Sequence, residues 1–433
     1  MVTKLSELKK TDLENTNVIL RVDFNVPLNG QTITDDTRIQ AAIPTIKFLL
    51  ENGAKPIIIS HLGRPKGKVV EELRLNPIAQ RLEELTQTTV IKLDEAVGPE
   101  VKKASLALKQ QQILLLENIR FYPGEETNDA NFAKELSELA TIYVNDAFGA
   151  AHRAHASTQG ITNYTQRAVA GFLMSKELEM LGSKLANPER PFTAIIGGSK
   201  ISSKITVLKN LVKKVDTLII GGGMAFTFAK AQGASIGKSI CEDDQLETAR
   251  EIINLADDFD TALILPKDTI ATKANIFSGD FKETDIVESE IFNAKEIPSD
   301  YEGLDIGPET QKQFVQLINQ SRTVVWNGPV GVFEFDSFAS GTKACALALK
   351  ELTQKEGVTI IGGGDSVAAL EKFQITKESY THVSTGGGAS LEFLEGKTLP
   401  GVACLENYNE DDYQTNESKD DSNFKKEIEK VRT

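Results

Sequence analysis

FTAIIGGSKISSKITVLKNLVKKV, residues 192–215, holds one complete unit of the fold. Its first five residues are a continuous apolar run, the pattern of a parallel strand buried on both faces. Two glycines follow, where a chain turns tightly or lets backbone N–H groups approach a bound phosphate. A helix is expected after Lys200, because Ile201, Ile205, Leu208, Val212 and Val215 step by four and three into one apolar stripe. Lys200 and Lys204, four apart, are expected on one face in the first turns of that helix. Cations there oppose the helix dipole by roughly 0.3–1 kcal/mol each, a cost that a bound anion reverses.

The same unit recurs along the chain. NVILRVDF, KPIIIS, QILLLENI, TIYVND, TLII, ALILP, TVVW and VTII are further apolar runs, separated by longer segments of helical period. Alternation of this kind predicts an α/β protein with two doubly wound parallel-sheet domains, whose ligands lie beyond the C-terminal strand ends. In the first half those ends carry Arg21, His61, Arg64, Arg120, His152 and Arg153. In the second half they carry glycines, at 197–198, 221–223, 362–364 and 386–388. Arginine clamps small phosphates through a planar fork, whereas glycine loops cradle polyphosphates with backbone donors. Two different phosphorylated molecules are therefore expected, one per half, in a cleft between the domains.

A chain of 433 residues is long enough for two such domains. The boundaries expected are 1–171 for the first domain, 172–190 for an interdomain helix and hinge, and 191–394 for the second. FLMSKELEMLGSKLANPERP supplies the hinge, read as one helix over 172–187 that serves as a lever. Beyond it the segment 406–433 is polar and acidic, and is expected to be a disordered tail.

The formal net charge of −14 argues against a nucleic-acid binder and makes the basic strand ends local pockets. Three cysteines, far apart and without a Cys-x-x-Cys pair, predict no disulfide framework and a reducing, cytoplasmic setting. The N-terminus lacks the apolar run of a secretory signal, and no stretch is long and apolar enough to span a membrane.

Taken singly, VDFNVP at 22–27 and HLGRPKG at 61–67 are equally readable as polar loops. Arg38, Arg120 and Arg153 beside them shift that reading toward an anion site. GGGDS at 362–366 follows a strand and precedes a helix, so its backbone donors suit phosphates and Asp365 suits a Mg²⁺ bridging them. Asp365 alone would read as a helix cap. STGGGAS at 384–390 repeats the arrangement. QGASIGKS at 232–239 imitates a P-loop, but Gln232 stands where that motif needs glycine, and no dinucleotide G-x-G-x-x-G is complete.

RVDFNVP, HLGRPKG, ENIRFYPGEE, NDAFGAAHRAH, GGSKISSKI, GGGMAFTF, WNGPVGVFE, GGGDS and STGGGAS, in this order, resemble the phosphoglycerate kinases from about residue 5 to residue 405. The resemblance implies reversible phosphoryl transfer between ATP and the carboxylate of 3-phospho-D-glycerate, giving ADP and 1,3-bisphosphoglycerate, in glycolysis. It implies that Asp23, Phe24, Asn25, Arg38, His61, Leu62, Gly63, Arg64, Arg120 and Arg153 hold the glycerate. It implies Lys204 at the nucleotide phosphates, Gly222 and Gly303 near adenosine, and Glu334 on the ribose. Gly363, Gly364, Asp365 and Ser366 would surround Mg-ATP, with Asp365 on the metal, while Lys200 and Arg38 attend the transferring group. A monomer is expected, with the chain near 395–405 returning to complete the first domain.

The chemistry agrees with that resemblance. A carboxylate acceptor has a pKa near ~3.5–4 and is already ionised at neutral pH, so no general base is required. Positioning and charge stabilisation remain, the work of arginine, lysine, Mg²⁺ and helix N-termini. Two rivals share the α/β pattern. A nicotinamide-dependent oxidoreductase would need the missing dinucleotide fingerprint. A non-catalytic anion-binding protein would need neither Lys200 nor Asp365.

Overall fold

A computed structural model describes residues 2–278, 281–282, 284–285 and 287–406, so the expected disordered tail lies outside the described residues from 407 on. The chain divides into two compact units. One takes Met1–Glu177 and the chain from Thr398, the other Leu178–Lys397.

The first unit is built on β1 (Asn17–Arg21), β2 (Lys55–Ile59), β3 (Thr89–Lys92), β4 (Gln112–Leu115), β5 (Ile142–Asn145) and β6 (Arg167–Ala170). They form one parallel sheet in the order β3-β4-β2-β1-β5-β6. Leu20 of β1 sits opposite Ile58 on one side and Val144 on the other, and Val18, Ile19 and Leu20 at the centre of the strand are fully buried. Ile39, Ile46 and Leu49 of the helix Thr37–Glu51 pack against Val18 and Leu20 in one core. Each such side chain contributes about 1.5–3 kcal/mol by leaving water. Strand order reverses between β1 and β5, the place where an open α/β sheet parts its loops for a ligand.

The chain returns to this unit through the helix Pro400–Glu406. The Asn145 side-chain amide donates to the Gly401 carbonyl at 2.9 Å, and the Gly401 N–H donates to Ala151 at 2.9 Å.

In the second unit follow β7 (Phe192–Ile196), β8 (Thr217–Ile220), β9 (Ala262–Ile264), β10 (Asp268–Thr272), β11 (Glu290–Asn293), β12 (Glu302–Ile306), β13 (Thr323–Asn327), β14 (Val358–Gly362) and β15 (His382–Val383). A parallel sheet runs β9-β8-β7-β13-β14-β15, reversing between β7 and β13. The α/β class and the two parallel sheets are as the sequence predicts. A separate antiparallel sheet, β11-β10-β12, was not expected from the apolar runs. Trp326, the single tryptophan of the chain, is fully buried in β13 and donates through Nε1 to the Gly328 carbonyl at 2.7 Å.

Two helix expectations need correction. The helix expected directly after Lys200 spans only Ile205–Leu211, and Lys204 is its N-cap with non-helical backbone, φ −133°. Lys200 and Lys204 therefore do not share a helical face. Ser203 donates to the Lys200 carbonyl and Ser202 binds the Glu242 carboxylate, bonds by which serine side chains compete with a first helical turn. The stripe is nonetheless buried at Ile201, Leu208, Val212 and Val215.

The helix read over 172–187 is likewise not uniform. It is α-helical over Phe172–Glu177 and Lys184–Ala186, and widens to a π-helix over Leu178–Ser183. Such widening is uncommon in a helix interior. Gly182 lies in that stretch, where an added Cβ would meet the Phe393 ring at 3.5 Å.

Candidate active site

In the first unit the C-terminal ends of β1 and β2 and the turn after β4 are stitched together by side chains. Asp23 accepts from Nη1 of Arg38 at 2.8 Å. The Phe24 N–H donates to Ser60 Oγ at 2.9 Å, and Asn25 Oδ1 accepts the Gly63 N–H at 2.8 Å. Phe24 and Leu62 are buried, so these two shape the loops from beneath. Arg120 is buried, and its Nη1 donates to the Gly63 carbonyl at 2.9 Å. Its Nε lies 3.5 Å from a Glu126 oxygen and has no hydrogen-bond acceptor. Burial, then the charge of Arg21, lowers the Arg120 pKa. Arg153 is half-buried, its Nε on His152 Nε2 at 3.1 Å, while Arg64 is exposed.

His61 is buried, with Nε2 3.8 Å from Asp23 Oδ1. Burial first, then Arg21, Arg120, Arg38 and His155, hold its pKa well below the ordinary histidine range. The imidazole is accordingly neutral at physiological pH.

Asn118 is the residue sequence reasoning missed here. Its Oδ1 accepts from the N–H groups of Leu62 and Arg120, at 3.2 and 3.1 Å. Its Nδ2 donates to the carbonyls of Leu62 and Leu73, at 2.8 and 2.9 Å. One buried amide thus fixes the HLGR loop and Arg120 together. Its position inside ENIRF was the only available signal.

In the second unit a cavity of about 460 Å³ opens near the strand ends. Of the predicted nucleotide residues, Gly222, Gly303, Glu334 and Asp365 line it, and Lys204, Gly363, Gly364 and Ser366 do not. Ser366 is buried and its Oγ accepts the Gly328 N–H at 2.7 Å. Gly363, at φ +91°, takes a conformation that side-chain-bearing residues rarely adopt and caps the helix Gly364–Lys372. At Gly197 a Cβ would lie 2.0 Å from the Pro329 carbonyl oxygen, so only glycine lets the loops after β7 and β13 cross.

Lys204 Nζ donates to the Asn327 carbonyl at 3.1 Å and also to its side-chain oxygen. Burial pushes the Lys204 pKa down to about 8, with Asp365 working in the opposite direction. Asn327 Nδ2 is buried and has no acceptor. Lys200, by contrast, is exposed. Asp305, which the sequence did not point to, lines the cavity and is pushed up to about 7 by burial.

The family model for phosphoglycerate kinase matches residues 8–397. The chain belongs to the phosphoglycerate kinase family. A phosphoglycerate kinase of Moorella thermoacetica is 55% identical over 398 residues, 92% of this chain and 98% of that one. The solved phosphoglycerate kinase of Coxiella burnetii superposes with a TM-score of 0.83 at 41% identity, covering 94% of this chain and 99% of that one. That of Pyrococcus horikoshii gives 0.76 at 29% identity, covering 93% and 98%. The oxidoreductase reading and that of a non-catalytic anion-binding protein find no support among these relatives.

Enzymes of the phosphoglycerate kinase family use nucleotides, and Asp365 fits a magnesium ion carried in with one. The N-cap of the helix Gly364–Lys372 is Gly363, without a side-chain cap, so Asp365 does not act as the cap. Its exposed carboxylate borders the cavity. Among the described residues no group of three or more His, Cys, Asp or Glu forms a metal cage. One carboxylate completed by phosphate oxygens and water is the arrangement Mg²⁺ favours.

Proposed function

We infer that this chain catalyses reversible phosphoryl transfer between ATP and the carboxylate of 3-phospho-D-glycerate, giving ADP and 1,3-bisphosphoglycerate. The observation that carries this reading is the family match over 8–397. A basic cluster in one unit and a glycine-bordered cavity in the other suit the two substrates.

In the first unit Asp23, Asn25, Gly63, Arg64, Arg120 and Arg153 hold the glycerate, His61 donates to it, and Phe24 and Leu62 set the backbone. In the second, Gly222 and Gly303 border the adenosine and Glu334 takes the ribose. Lys204 and the amides at Gly363, Gly364 and Ser366 face the phosphates. Mg²⁺ on Asp365 would neutralise phosphate charge. Lys200 and Arg38 stabilise the charge on the transferring group, which needs donors in place before it moves. No base enters, because the acceptor is an ionised carboxylate.

Direct transfer requires reacting atoms about 3–3.5 Å apart, so ligands carried by separate units must be brought together before chemistry. Small-angle scattering should show contraction with ADP and 3-phosphoglycerate together, and little with either alone. The proposed state is a monomer in a reducing compartment; among the described residues the cysteines are free, and no helix is long and apolar enough to cross a membrane. A coupled assay tests the activity: ADP should be released from Mg-ATP only when 3-phosphoglycerate is added. Release without the acceptor, or none with it, would overturn the reading.

A further inference from the structure

Arg21 closes β1 and is completely buried. Its guanidinium is spent on three neighbours: Nε donates to Ser157 Oγ at 2.8 Å, Nη1 to the Val22 carbonyl, and Nη2 lies 3.2 Å from His61 Nδ1. A guanidinium has five donors, no acceptor, and stays charged. The third contact is therefore a hydrogen bond only when His61 Nδ1 carries a lone pair. A neutral imidazole with a bare Nδ1 keeps its proton on Nε2.

We propose that Arg21 is a positioning residue that holds His61 as the neutral Nε2–H tautomer, so that His61 offers phosphoglycerate a directed donor and not a positive charge. This rests on the reading that His61 faces phosphoglycerate. Every charged or titratable neighbour of the ring fits the assignment. Arg21, Arg38 and Arg120 bring positive charge toward it, and His155 adds to the same effect. The acid nearest Nε2 is Asp23, at 3.8 Å, and its other oxygen is already held by Arg38 at 2.8 Å. The site thus takes its charge from arginines that cannot titrate, and takes direction from the histidine.

A second layer holds Arg21 itself in place. Ser157 donates from Oγ to Glu125 Oε1 at 2.6 Å and from its backbone N–H to Oε2 at 2.9 Å. With its hydroxyl proton committed to Glu125, Ser157 turns a lone pair toward Arg21 Nε. Glu125 is fully buried, so a carboxylate balances the buried guanidinium through one hydroxyl.

The chain has four histidines, His61, His152, His155 and His382, so the imidazole nitrogen–proton correlation spectrum of the labelled full-length protein is simple, and His61→Gln assigns it. His61 should show a bare Nδ1 and a protonated Nε2, unchanged from pH about 8 to about 5.5. Protons on both nitrogens at neutral pH, or a proton on Nδ1 alone, would overturn the proposal. Arg21→Met should let His61 sample both tautomers and titrate nearer its ordinary pKa of about 6.5. A folded Arg21→Met protein with the tautomer unchanged would remove Arg21 from the role. If that variant does not fold, the unsubstituted protein's spectrum still decides the proton's place, and Ser157→Ala tests the support of Arg21: it should broaden or split the His61 signals, and an unaltered spectrum would count against it. Adding 3-phosphoglycerate should shift the Nε2–H signal. A correct tautomer that does not respond would leave the proton assignment standing and take His61 out of the phosphoglycerate site.

Discussion

The ammonium of Lys204 rests 3.1 Å from the carbonyl oxygen of Asn327 and donates to that residue's side chain as well. With its pKa pushed down to about 8, the group is poised to lose its proton just above neutrality. A nucleotide phosphate arriving beside it would favour the charged form and raise that pKa. Binding of ADP at pH about 8 should therefore draw a fraction of a proton from solution, and affinity should weaken as pH rises toward about 9. Calorimetry in buffers of different ionisation enthalpy measures the uptake. Lys204→Met should abolish it, and an uptake that survives that substitution would refute the assignment.

Lys200 is exposed and lies outside the helix, so its removal should cost little stability. Lys200→Ala should lower kcat by about 10²–10³, as loss of a preplaced charge does, with both substrate affinities changed less. Near-normal turnover in the purified variant would exclude the role.

Arg120 both carries charge and holds the Gly63 carbonyl. Arg120→Ala should weaken 3-phosphoglycerate by roughly 1.5–3 kcal/mol, the range for a charged hydrogen bond, and leave nucleotide affinity as it was. Equal losses for both ligands would contradict separate sites.

Asp146 makes a pH prediction about stability. It is fully buried, its Oδ1 accepts the Met174 N–H at 3.1 Å, and its Oδ2 has no hydrogen-bond partner. Burial pushes its pKa from 3.8 up to about 7, against the opposing pull of the Thr45 hydroxyl and the backbone N–H groups of Met174 and Leu173. Between those values the unfolded chain is ionised and the folded one holds its proton, so this group's contribution falls as pH rises, reaching its minimum above about 7. Thermal melts of Asp146→Asn and the parent should diverge in the variant's favour from pH about 5 to about 8. A pH-independent difference would mean that Asp146 does not titrate there.

The parallel sheets were legible because NVILR and FTAII are buried on both faces and cannot alternate. The antiparallel sheet was not, since DTIAT, EIFN and EGLDI mix polar and apolar residues and resemble loop. The start of the helix after Lys200 is not legible in the sequence, because the apolar stripe continues through a turn that Ser202 and Ser203 hold open. Among the candidate site residues, arginines and glycines declare themselves by chemistry. Asn118 and Ser157 do not: Ser157 meets Arg21 across 136 positions of sequence, a separation that no local pattern encodes.

The return of the chain through Gly401 bears on how the protein is made. Asn145 and Ala151 find their partner only after the entire second unit has left the ribosome. Domains emerging from the ribosome tend to fold in order of synthesis. Here the first unit must wait with Asn145 and Ala151 lacking their Gly401 partner, while the second, made from a single uninterrupted stretch, can close as soon as it emerges. The part translated first is the part finished last.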